Sequence, residues 1–77
     1  MNVIEQLDEL QKSDQQIADT ERRLHTEIAE LRRLQVEGHD VDNASALIGK
    51  MEKNLLELHA HRETIAREVD RLRRPVT

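Results

Sequence analysis

Apolar residues recur along this chain at helical spacing. Val3, Leu10, Ile17, Leu24 and Leu31 stand seven apart and are all aliphatic. Written as the d positions of a heptad, they leave Leu7, Asp14, Glu21, Ile28 and Gln35 at a. A second stripe places Ala44, Met51, Leu58, Ile65 and Leu72 at d, with Ile48, Leu55, Arg62 and Val69 at a. A sustained a/d pattern of this kind predicts two long amphipathic helices with coiled-coil seams.

The punctuation agrees. Asn2 followed three residues later by Glu5 reads as a helix-opening box. Gly38 suits the left-handed residue that closes a helix, and Gly38-His39-Asp40-Val41-Asp42-Asn43 is the one turn-like cluster. Asp40 or Asp42 can cap the second helix, Asp40 being preferred, and Pro75 forbids its continuation. The expected organisation is one domain over residues 1–77, with helix one at about 2–37, a turn at 38–42 and helix two at about 41–74. The alternative is a single unbroken rod that merely tolerates Gly38.

Folding the stripes against each other across the turn pairs residues whose numbers add to a constant. The expected layers include Leu7–Leu72, Leu10–Val69, Ile17–Arg62, Leu24–Leu55, Ile28–Met51 and Leu31–Ile48, each joining an a to a d. The expected fold is therefore all-α, an antiparallel two-helix coiled-coil hairpin that assembles with a second copy into a four-helix bundle.

Composition explains why a second copy is expected. The 77 residues include no Cys, Trp, Tyr or Phe. Disulfides and thiolate metal sites are therefore excluded, and every apolar contact falls to aliphatic side chains and Met. A core that small is marginal. The flank holding the e and b positions carries Ala18, His25, Ala29, Val36, Gly49, Leu56, His59 and Ala66. Gly49 is costly in mid-helix, and Leu56 is apolar without a seam partner, so this flank is the expected dimer face. The other flank, with Glu9, Ser13, Gln16, Arg23, Glu27, Asn54 and Glu57, reads as solvated, with Leu34 and Leu47 near the turn.

Charge adds two expectations. Net charge is −4, which argues against general binding to nucleic acid or an anionic membrane. Residues 1–20 are acidic apart from Lys12, whereas residues 58–77 carry five arginines, a distribution that favours antiparallel pairing. Asp14, Glu21 and Arg62 interrupt the seam. A lock on register explains them better than a buried site, with Arg62 between the two acids.

Candidate chemistry is sparse. His59 and His61 are two apart and diverge on a helix, while Glu21/His25 and His59/Glu63 are four apart and read more simply as surface pairs than as metal ligands. No nucleophile–base set or phosphate loop is present, so neither catalysis nor a cofactor nor a bound metal is expected. Histidines at the dimer face could make assembly sensitive to pH. The doublets Arg22/Arg23, Arg32/Arg33 and Arg73/Arg74 could meet phosphates, which keeps a dimeric RNA- or DNA-binding hairpin as the rival reading. The first residues hold acids and no apolar run, and no stretch approaches the ~20 apolar residues of a membrane span. A cytoplasmic location is expected.

Glu37-Gly38-His39-Asp40-Val41, with Leu58-His59-Ala60-His61-Arg62-Glu63 downstream, resembles a group of short bacterial proteins typical of alphaproteobacteria. Those proteins share a helix–GHD–helix layout and have no assigned function. The resemblance spans nearly the whole chain; many members have Asp-Thr where this chain has Asp40-Val41. The layout is also similar to that of small type III secretion co-chaperones, two-helix proteins that cover a partner's helix. The expected function is that of a non-enzymatic, homo-oligomeric interaction or adaptor protein, binding itself and a helical segment of another protein.

Overall fold

The computed structural model describes residues 2–74. Two helices account for nearly all of them, α1 at Val3–Val36 and α2 at Asp42–Arg73, packed as a hairpin. No strand occurs among the described residues.

The ends of α1 follow from local hydrogen bonding. Asn2 is extended, and its side-chain oxygen accepts from the Glu5 amide at 2.9 Å, satisfying one of the donors a helix leaves open at its start. At the other end Gly38 adopts φ +75°, a conformation that costs a side chain dearly. The Gly38 amide donates to Gln35 O and the His39 amide to Leu34 O. This pair of crossed bonds closes the last turn and starts the reversal.

α2 opens differently from the expected cap. Val41 occupies the capping position and makes no side-chain bond to the helix. Asp40 instead accepts from the Asp42 amide at 2.9 Å, which tightens the turn before the helix. At the far end Arg74 is extended, with φ −70° and ψ 136°, the conformation imposed on a residue that precedes proline. Pro75 itself lies outside the described residues.

The seam of α2 follows its heptad. Ile48, Ile65 and Val69 are buried and Ala44, Met51, Leu55, Leu58, Arg62 and Leu72 are half-buried. The seam of α1 is turned from the expected position. Its d row points inward, with Ile17 buried and Val3, Leu10, Leu24 and Leu31 half-buried, but the second inward row is Gln6, Ser13, Thr20, Glu27 and Leu34. Leu7, Asp14 and Glu21 lie on the surface. The layers built on the a row of α1 are therefore displaced, α1 being rotated by roughly half of the ~100° step between successive residues. The expectation that Ser13, Glu27 and Leu34 face solvent fails for the same reason.

The cost of desolvation explains the choice. Burying the carboxylates of Asp14 and Glu21 would cost far more than burying a hydroxyl or an amide, so Ser13 at 2% exposure and Gln6 at 8% take the inner places.

The resulting rod measures 64 × 16 × 15 Å. No helix among the described residues is long and apolar enough to cross a membrane.

Candidate interaction face

Two contacts between the helices define one flank of the rod. Arg62 donates from Nε to Asp14 Oδ1 at 2.5 Å, and His59 Nε2 lies 3.9 Å from Glu21 Oε1. The hydrogen bond to Asp14 is the main reason the Arg62 guanidinium is held above its ordinary value, its charge adding to the effect. Arg62 also approaches Glu63 at 3.7 Å. Of the two acids expected around Arg62, Asp14 meets it and Glu21 faces His59 instead.

Helical spacing carries the flank outward from these contacts. Ala18 and His25 stand one turn beyond Asp14 and Glu21 on α1, and Ala29 and Val36 continue the same side. On α2, Glu52, Leu56, Glu63 and Ala66 flank His59 at steps of three, four and seven. The residues expected to form a dimer face thus share one side. Val36 is 87% exposed and Leu56 72% exposed, His25, Ala29, Gly49 and His59 are exposed, and Ala18 and Ala66 are half-buried.

The rotation of α1 enlarges this face. Leu7, expected in the seam, is 40% exposed two turns before Asp14, and Ile4 is 74% exposed one turn before Leu7. Four of the five large hydrophobic residues exposed among the described residues, Ile4, Leu7, Val36 and Leu56, therefore lie on this side. Leu47 alone is on the other. The clue to Leu7 was its company, because it shares a row with two carboxylates that would have to be buried with it.

The surface between these residues is troughed. One trough, lined by Leu24, Glu52, Leu55, Leu56 and His59, opens the seam to solvent beside Leu56. A second is lined by His25, Ile28, Ala29 and Arg32. Gly49 adds open space, since a methyl group placed there would meet nothing within 4 Å. Nothing inside the hairpin requires glycine at this position.

The opposite flank has a different character. A broad open trough there is lined by Asp19, Arg22, Arg23, Thr26, Glu27, Leu47 and Met51. Arg22 pairs with Asp19 within it. One arginine of two further doublets is likewise held by its own helix, Arg33 by Glu30 and Glu37 and Arg74 by Asp70. Among the described residues no group of three His, Asp or Glu side chains is gathered closely enough to hold a metal ion.

No known protein family, curated protein or solved structure matches this chain.

Proposed function

We propose that this chain is a non-enzymatic interaction protein that completes its fold by pairing with a second copy and acts through helix–helix contact with another protein, in the cytoplasm. The observation that carries this reading is that Ile4, Leu7, Val36 and Leu56 stand along one flank of a hairpin in which four aliphatic residues are buried among the described residues, Ile17, Ile48, Ile65 and Val69. Four exposed large apolar side chains on one side of the rod, against Leu47 alone on the other, favour that side as the contact surface.

Surface area supports it. A compact monomer of 9.0 kDa exposes about 4,900 Å², and this hairpin exposes 6060 Å². The excess exceeds the ~800 Å² that each partner buries in a standard interface. The radius of gyration, 17.8 Å, also exceeds the ~11.5 Å of a compact domain of this length.

The rival reading, a dimeric RNA- or DNA-binding hairpin, loses support from the arginines held by acids of their own helices and from the net charge of −4. Light scattering coupled to gel filtration tests the main reading. The native chain should elute at twice its mass or more, and Leu56→Glu combined with Val36→Asp should shift it to the monomer. A monomeric native chain at high micromolar concentration overturns the proposal.

A further inference from the structure

The apolar flank also carries charge, and its distribution selects one way for two copies to meet. We infer that the second copy lies side by side with the first in the opposite direction, related by a two-fold axis that passes through Leu56 at right angles to the helices. This deepens the self-association proposed above and rests on it.

The Asp14–Arg62 and Glu21–His59 contacts set the alignment of the helices. Extended at ~1.5 Å per residue, that alignment brings Leu56 level with Arg22, Gly49 level with Ala29, and Glu63 beside Asp14. From the end of the rod that holds Asn2 toward the turn, the flank reads apolar at Ile4 and Leu7 and then carries Asp14 and Glu63, which share Arg62 and leave one negative charge over. It then has a small residue at Ala18, Leu56 near the middle, bulk at Ile28, a positive charge at Arg32 and an apolar end at Val36.

Turned about Leu56, this pattern complements itself except at the axis, where Glu21 of each copy, paired with its own His59, comes level with the other. Arg32 of one copy falls level with Asp14 and Glu63 of the other, Ile28 with the small Ala18, and Val36 with Leu7, each to within about 5 Å in height. The space left by Ala29 and Gly49 lets the helices draw close, and the two Leu56 side chains meet on the axis, each beside the trough that opens onto Leu24 and Leu55.

The parallel arrangement, with both turns at one pole, lacks this match. It brings α1 of each copy against α2 of the other, which sets Asp14 against Glu63 and leaves Arg32 level with Ala46 instead of an acid. Like charges opposed at an interface disfavour that partner geometry.

The chain has no cysteine, so single spin labels can be placed at will. Asn43→Cys puts a label near the turn and Lys53→Cys puts one close to the level of the axis. In the opposed dimer the turn labels of the two copies should lie about 40 Å or more apart and the central labels about 20–25 Å apart. Two similarly short distances, in a chain whose scattering mass is that of a dimer, overturn the orientation and leave the self-association standing. A monomeric mass with no distance between copies overturns both.

A charge test reads the same contact independently. Arg32→Glu should weaken the dimer several-fold, and adding Glu63→Arg should restore it. Failure of the second change to restore an interface weakened by the first counts against the pairing.

Discussion

Asp14 and Arg62 are 48 residues apart in sequence, yet they meet at 2.5 Å across the hairpin. This is the one ion pair between the helices among the described residues that does not depend on a protonated histidine. The other arginine–carboxylate pairs lie within a helix or its end and fix nothing about how the helices align. Both partners are partly solvated, Arg62 at 33% and Asp14 at 53% side-chain exposure, so the pair serves alignment more than stability.

Arg62→Leu should therefore keep the helical content and loosen the register. Cysteines introduced at matched heights on α1 and α2 should crosslink only in the native alignment in the parent chain. In the variant they should also crosslink one heptad out of step. Unchanged crosslinking would remove the aligning role.

Ser13 is 2% exposed, and its hydroxyl has no hydrogen-bond partner among the described residues. A buried unpaired hydroxyl is destabilising, so Ser13→Ala should raise the unfolding free energy by about 1 kcal/mol, measured by urea titration. Ser13→Leu should lower it, because the seam has no room for three more carbons.

That Ser13 lies inside at all is where sequence and structure part. The reversal at Gly38 was legible because a glycine, two aspartates and a break in both stripes coincide there. The α2 stripe was legible because its second row is aliphatic in three of four places. The α1 stripe offered two candidate second rows, each mostly polar, and periodicity alone does not separate Leu7, Asp14 and Glu21 from Gln6, Ser13 and Thr20. The decision lies in the cost of desolvating a carboxylate, which periodicity does not weigh. The same ambiguity hid Ile4 and Leu7 from the apolar flank, while Val36 and Leu56 could be placed there from spacing.

The two glycines should respond to alanine with opposite signs. Gly38 has φ +75°, so Gly38→Ala should cost about 1–2 kcal/mol. Gly49 is helical and open on its side-chain face, so Gly49→Ala should stabilise the isolated hairpin by about 1 kcal/mol. Thermal melts at low concentration check both. At high concentration, a close approach of a second copy at Gly49 should turn that gain into weaker association.

Acid titration should separate particular carboxylates from the rest. Hydrogen bonds from Arg33 and Arg71 hold Glu30 and Glu68 below the ordinary value of 4.5, with the arginine charges adding to the effect. A depressed folded value means that the stabilisation is complete above the unfolded value and fades as pH falls through the lowered one. Carbon-detected NMR titration should show both groups retaining charge at pH values where a glutamate of the unfolded chain has begun to protonate. Arg71→Gln should return Glu68 to the ordinary range.

The rod is 64 Å long and one helix pair thick, and the reversal at Gly38 sends Asn2 and Arg74 to the same pole. Whatever precedes or follows these residues would be anchored at a single point, leaving the Gly38 tip free at the far end. Such a shape works as a boom: a small rotation at the tethered pole sweeps the distal loop through a wide arc, and two molecules linked near mid-length would hold their tethers at opposite extremes, spacing apart whatever is attached to them.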